Sequence, residues 1–392
     1  MARAKPAADA PATLERLFSA KEIVIHCGSG GVGKTTTAAA AAAEAAVHLG
    51  GKVLVLTVDP ARRLANALGI EQFGNVETRV PDAAFAAAGV EPRGQLWAAM
   101  LDTKQSWDDL IRRHAPDPAT RDAILANPLY QNLMGRFVQS HDYIAMERLY
   151  DLHSSGTYDL IVVDTPPTRN AIEFLEAPTR MADFFSSRLL RWLTAPARSR
   201  VVNFASKPFY TVADRILGTQ FLQDIAEFFL LFQSMYEGFV ERAEAVETVL
   251  HDKRSTFVVV STLESAPVRE AEFFMRELGA RDLHLGAVVL NKVLPAWLLD
   301  RKAAAAARTL EKRSATVAAS VGDALGEDVE QVERVVREIG TSFLNFQVVA
   351  QRESETRAEL AATPDLVAAV PYFDRDIVDL DGLLRLGDTM WR

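Results

Sequence analysis

The feature that most restricts the fold of this chain is a glycine-rich stretch set between a strand-like run and a helix-like one. Gly28-Ser29-Gly30-Gly31-Val32-Gly33-Lys34-Thr35-Thr36 follows the apolar run Ile23-Val24-Ile25 and leads into the alanine-rich segment Ala38 to His48. The pattern G-x-x-x-x-G-K-[ST] in a strand-loop-helix setting is that of a phosphate-binding loop. Its glycines let successive backbone N–H groups turn inward and approach phosphate oxygens with no Cβ in the way. The N-terminus of the following helix adds positive potential where the anion sits. In such a loop Lys34 is expected to reach the β- and γ-phosphates and the Thr35 hydroxyl to ligate Mg²⁺.

Five further apolar runs, Val53 to Val58, Leu160 to Val163, Phe257 to Val260, Ala287 to Leu290 and Phe346 to Val349, do not alternate with polar residues. Continuous runs of this kind suit central strands of a parallel sheet covered on both faces. Helix-forming segments such as Val268 to Leu278 and Asp328 to Ile339 separate them. The expectation is an α/β fold, a doubly wound and mainly parallel sheet. One domain over residues 14–392 is expected, after a flexible lead-in over 1–13. A helical insertion is expected at about 178–250, where Phe221, Ile225, Phe228, Phe232, Tyr236 and Phe239 recur at three- and four-residue spacing. A second helical segment is expected at about 300–340.

A phosphate loop of this kind needs a carboxylate to hold the metal's water shell. Leu160-Ile161-Val162-Val163-Asp164 places Asp164 at the end of a buried strand. The second strand ends in Asp59-Pro60-Ala61-Arg62-Arg63, and carboxyl ends of strands face the ligand crevice in such sheets. Asp59 is thus the candidate for orienting or deprotonating an attacking water, and Lys34 its catalytic companion at the phosphates. The Mg²⁺ candidates are Thr35, Asp59 and Asp164, the carboxylates acting through water.

Composition removes other readings. A single cysteine leaves no disulfide framework and no multi-cysteine metal site. The formal charge of −9 supplies no global basic field to collect nucleic acid. The first residues lack the apolar core of a signal peptide, and no run approaches the roughly 20 apolar residues of a membrane span. A cytoplasmic protein without nucleic-acid partners is expected.

With these segments in register, the chain resembles the ArsA/Get family of deviant-P-loop ATPases. That family includes the arsenical-pump ATPase, the targeting ATPase for tail-anchored membrane proteins and, more distantly, MinD-type proteins. The matching stretches are Gly28 to Thr37, Thr57 to Leu64, Tyr158 to Leu175, Val288 to Lys292 and Val370 to Leu386. The resemblance implies ATP/ADP and Mg²⁺ as ligands, with Gly28 to Thr36 around the phosphates. It implies that Asn291 hydrogen-bonds adenine, with Pro371 and Phe373 nearby on the carboxyl-terminal element. It also implies a nucleotide-dependent dimer, with Asp59 acting on the water. In the targeting branch a helical insert lines a hydrophobic groove for a client helix, so a hydrophobic protein client or membrane-protein partner is implied at residues 178–250.

Two departures qualify the match. Ser29 stands where the family's loop carries a signature lysine that reaches the partner subunit's phosphates. Either a homodimer works without it, or a paralogue bearing the lysine completes a heterodimer. A nucleotide-binding regulatory subunit with little hydrolysis of its own is the rival expectation, and a MinD-like positioning ATPase a further one. The cysteines that bind zinc or arsenite in the family are absent, and Cys27 is expected to be a buried packing residue.

Overall fold

Strands that are apolar on both faces must be covered on both, and the sheet is built that way. The computed structural model describes residues 13–58, 62–70, 74–133, 138–166, 176–177, 179–180, 183, 227–232, 234–361, 364 and 366–391. Its eight strands are β1 (Ile23–Gly28), β2 (Gly51–Thr57), β3 (Thr78–Arg79), β4 (Gly94–Met100), β5 (Leu160–Asp164), β6 (Ser255–Ser261), β7 (Leu285–Val293) and β8 (Val367–Pro371). They form one sheet in the order β3-β4-β2-β5-β1-β6-β7-β8. Every neighbouring pair is parallel except β3 with β4 at the edge. The chain therefore has an α/β fold with a mainly parallel, doubly wound sheet.

Side-chain alternation divides the interior into two layers. Ile23, Ile25 and Cys27 of β1 join Phe257 and Val259 of β6 on one face, with Trp107, Tyr143 and Phe239 from the covering helices. Val24 joins Val258, Val260 and Val289 on the other, against Ala38 to Ala46 and Leu383. The helix Lys34–His48 lies in this second layer, and every residue from Thr37 to Ala46 is buried. Alanine explains how it fits there, because the helix Leu380–Trp391 packs on its back. At Gly387 a Cβ would stand 2.3 Å from Glu44 Cγ and 3.0 Å from the Ala40 carbonyl oxygen.

Between β7 and β8 the chain departs from the layered plan. Three helices, Arg301–Lys312, Ser314–Leu325 and Val329–Leu360, form an arm. Asp300 and Asp328 cap the first and third by accepting from Ala303 N and Glu330 N. Gly326 ends the second with φ +68°. The third crosses the first at Gly340, where a Cβ would lie 2.6 Å from the Ala307 carbonyl oxygen.

This arm corrects one expectation. Phe346 to Val349, read as a strand, lies within the helix Val329–Leu360, and the last strand is Val367–Pro371. The strand preference of four residues amounts to about 1 kcal/mol each at most. A helix held at Gly340, Ala350 and Leu360 overrides it. Helix in this part of the chain also runs past residue 340, to Leu360. Most of the expected insertion at 178–250 lies outside the described residues. Within the described part of that range, the helix Tyr236–His251 buries Phe239 beside Trp107 and Tyr143 in the layer that covers the sheet.

Candidate functional site

The parallel sheet sends the helix after β1 toward β2 and the chain after β5 toward β6, on opposite sides. The crevice at the carboxyl ends of β1 and β5 is therefore the switch point at which such sheets bind ligands. The glycine-rich loop leaves β1 at that point. Gly28, with φ +156°, has no room for a side chain, since a Cβ would stand 2.1 Å from the Val260 carbonyl oxygen. At Gly33, with φ +97°, a Cβ would meet Asn291 Nδ2 at 2.3 Å. The glycines are thus required by backbone shape and by the close approach of two neighbouring strands.

Lys34 opens the helix and is buried, its Nζ donating to the Ser29 carbonyl oxygen at 3.0 Å. The side chain folds back across the loop, so its ammonium stands at the rim of the cradle. Thr35, one residue on, donates from Oγ1 to Asp164 Oδ2 at 2.6 Å. Thr57 at the end of β2 donates to the same oxygen at 2.9 Å. Asp164 is fully buried. Two hydroxyls, one from the first turn of the helix and one from a strand end, thus hold one carboxylate directly beneath the loop, an all-oxygen set of the kind that Mg²⁺ prefers. The Asp164 carbonyl accepts from Val58 N at 3.1 Å, which ties the start of the Asp59 segment to the same strand end.

Asn291, near the end of β7, is buried and lies against the loop. Its Nδ2 donates to the Val32 carbonyl oxygen at 2.8 Å, and its Oδ1 accepts from Lys292 N at 2.9 Å. Pro371 pairs with Val293, two residues beyond Asn291, at the end of β8. Phe373 is part-buried and packs on the apolar layer that includes the helix Leu380–Trp391. Ser29 is buried, Gly30 and Gly31 are exposed, and Thr36 is half-buried in the first turn of the helix. Asp59 lies outside the described residues, as do the side chains of Arg62 and Arg63. The structure therefore gathers Gly28 to Thr36, Asp164 and Asn291 around one crevice.

Two neighbours of the loop are held electrically silent. Burial alone depresses the His26 imidazole to about 3. Burial also pushes the Cys27 thiol well up, against the opposing pull of Lys34. His26 serves through its backbone, its carbonyl accepting from Thr165 N at 3.2 Å and from Thr165 Oγ1 at 2.9 Å. Thr57 and Thr165 join the site through contacts that cross between strands. No local signal marks Thr57, since the apolar run extends past it to Val58 and its alignment with Asp164 is set by strand pairing. A separate cavity of 860 Å³ lined by Lys52, Arg79, Arg93 and Gln95 lies at the start of β2 and β4, the end of the sheet opposite the loop.

A phosphate loop at the switch point of a parallel sheet, with its Thr hydroxyl bonded to a strand-end aspartate, defines a P-loop nucleotide-binding protein. The sequence model of the family described as anion-transporting ATPase matches residues 21–321, and the chain belongs to this ArsA ATPase family. It is similar to proteins named ATPase get3. That of Aspergillus niger is 26% identical over 274 residues, 68% of this chain and 71% of the relative. That of Aspergillus terreus is 26% identical over 274 residues, 68% of this chain and 72% of the relative. That of Pyrenophora tritici-repentis is 26% identical over 292 residues, 73% of this chain and 78% of the relative. No helix of the described residues is long and apolar enough to cross a membrane.

Proposed function

We propose that the chain binds ATP with Mg²⁺ and hydrolyses it, and that the nucleotide state switches a dimer acting on a protein client or membrane partner. The observation that supports this most is the convergence of Thr35 and Thr57 on Asp164 Oδ2 under the loop. When bound, Mg²⁺ neutralises charge on the β- and γ-phosphate oxygens. Thr35 and Asp164 are the residues to hold it, Asp164 through water. The loop N–H groups and Lys34 bind and orient the polyphosphate. Asp59, two residues beyond Thr57, orients the attacking water and accepts its proton. Because the Asp164 carbonyl also holds Val58, a change at the γ-phosphate reaches both strand ends at once.

The relatives' name supports ATP turnover as the reaction. The dimer and an insertion that receives the client rest on the resemblance, and a cytoplasmic location and a single domain over residues 14–392 on the sequence pattern. One observation favours a second reading. Ser29 is a short, buried residue at the loop's second position, and its hydroxyl has no hydrogen-bond partner among the described residues. It supplies no cation to a neighbouring subunit, and a trans-acting cation is worth about 10³ to 10⁵ in rate. In that reading the chain is completed by a lysine-bearing paralogue.

Steady-state phosphate release by the purified chain separates the two. Turnover that Lys34→Ala and Asp59→Asn each abolish establishes an autonomous ATPase. Tight ATP binding without turnover, with turnover restored by the paralogue, establishes the completed heterodimer. Neither binding nor turnover under any of these conditions overturns both.

A further inference from the structure

The sheet has a second concavity, at the amino-terminal ends of β2 and β4, that the nucleotide reading leaves unused. Its volume of 860 Å³ lies within the roughly 300–1,000 Å³ of small-molecule sites. Part of its lining is bare backbone. The two strands start so close together that a Cβ at Gly94 would stand 2.3 Å from the Gly51 carbonyl oxygen. At Gly89, with φ +71°, a Cβ would meet nothing within 4 Å, so the turn after the helix Asp82–Ala87 does not fill the space. Lys52, Arg79 and Arg93 bring three cations to the lining, against the carboxylates of Asp82 and Glu91. This is a local positive excess in a chain of formal charge −9. Arg79 is already engaged, its Nη2 donating to both Asp82 oxygens at 2.7 and 2.9 Å. Lys52 and Arg93 make no ion pair among the described residues. The nearby Asp159 carboxylate accepts from the Lys52 backbone N–H at 2.8 Å and not from its ammonium. Arg93 uses Nη1 on the His48 carbonyl oxygen at 3.3 Å, which leaves four of its five N–H donors. Gln95 adds its amide, whose Oε1 accepts from the Trp97 indole N–H at 3.3 Å. An indole nitrogen only donates, so this bond fixes the orientation of the amide and leaves its NH₂ group to donate elsewhere.

We infer that this cavity binds a small organic oxyanion, a phosphate monoester or a carboxylate, through Lys52, Arg93 and Gln95, with its apolar body on Ala86, Val90 and Pro92. A guanidinium, an ammonium and an amide NH₂ together match the several lone pairs of one oxyanion. Charged hydrogen bonds of this kind are roughly twice as strong as neutral ones. Inorganic phosphate would leave most of the 860 Å³ empty, so the ligand carries an organic body. The inference is independent of the nucleotide reading, because these residues lie at the other end of the sheet from the loop.

An oxyanion can also enter the phosphate loop, so the test reads the two places separately. The full chain is labelled with ¹⁵N-glycine and titrated with phenyl phosphate, benzoate, inorganic phosphate and phenol, followed by NMR. Gly51, Gly89 and Gly94 report on the cavity, and Gly28, Gly30, Gly31 and Gly33 on the loop. Phenyl phosphate or benzoate is expected to shift the cavity glycines saturably, and the tighter of the two names the oxyanion class. Inorganic phosphate should bind about tenfold more weakly than phenyl phosphate for want of a ring, and phenol about tenfold more weakly for want of charge. Lys52→Gln and Arg93→Gln should each weaken the anion by about fivefold, and Arg79→Gln by less than about twofold. Glu91→Gln, which removes a like charge, should tighten it. Loop glycine resonances that match the wild type show that each variant is folded. Cavity glycines that no probe moves overturn the inference, as does an affinity indifferent to both Lys52→Gln and Arg93→Gln. Phenol or inorganic phosphate binding as tightly as phenyl phosphate overturns it too. Movement of the loop glycines alone places the oxyanion at the phosphate loop and likewise overturns it.

Discussion

Two helices of this chain invert the usual relation between residue type and burial. The helix Lys34–His48 is made largely of alanine, yet Ala38 to Ala46 are buried throughout. The helix Val329–Leu360 carries Val335, Ile339, Phe346 and Val349, which are 58%, 55%, 54% and 46% exposed. Position in the sheet's layering, not side-chain hydrophobicity, decides the outcome. A helix that must start at the phosphate loop is held close against the sheet and under another helix, where only small side chains fit. A helix in the connection beyond β7 is anchored at a few crossing points and leaves its larger residues in solvent. The first region has no slack and positions chemistry. The second tolerates change.

That contrast can be broken most severely by overfilling the tight helix. Ala42→Leu is expected to cost about 3 kcal/mol, because neither the sheet nor the covering helix can retreat. Denaturant unfolding followed by circular dichroism measures it, and a loss below about 0.5 kcal/mol would contradict the packing argument.

Acid sharpens the same comparison. His26 is buried and neutral when folded, with a folded pKa of about 3 against an ordinary 6.5. The unfolded chain takes up that proton first as the pH falls, so the contribution is complete above pH 6.5 and declines toward 3. Between pH 6.5 and 5 the loss from this group is about 2 kcal/mol. His26→Leu should unfold with a correspondingly flatter pH dependence than the wild type over this interval. Hydrogen exchange should show the loss in the sheet, and a parallel curve for the variant would remove His26 from the account.

Smaller effects belong to the arm. Gly340→Val should separate the helices Arg301–Lys312 and Val329–Leu360 at a cost of about 1 to 2 kcal/mol. The loss should appear as faster exchange within residues 301–360, with the sheet unchanged. Phe346→Ser, at an exposed site, should shift stability by less than about 0.5 kcal/mol. A loss of several kcal/mol there would mean that this face is covered in solution.

The parts legible in the sequence are those written contiguously. The loop, the alanine helix and Asp164 at the end of Leu160 to Val163 each occupy one stretch with a matching physical reason. What joins them was not legible, because Thr57 meets Asp164 only through the pairing of β2 with β5, and Asn291 reaches the loop only through the placing of β7 beyond β6. Their partnership depends on strand order, which no local pattern encodes. The strand Gly94–Met100 carries no such local signal, because Gly94 and Gln95 open it and its small Ala98 and Ala99 have little strand preference. Phe346 to Val349 misled in the opposite sense, since a β-branched run reads alike in a strand and on an exposed helix face.

The central claim is that the tight region exists to hold a metal-nucleotide complex over Asp164. Calorimetric titration of Mg²⁺-ATP, with and without the metal, into the wild type and Asp164→Asn tests it most directly. The account predicts binding that Mg²⁺ strengthens in the wild type, and a variant that binds ATP but has lost most of that metal dependence. Equal strengthening by Mg²⁺ in both proteins, or no ATP binding by the wild type, would contradict it.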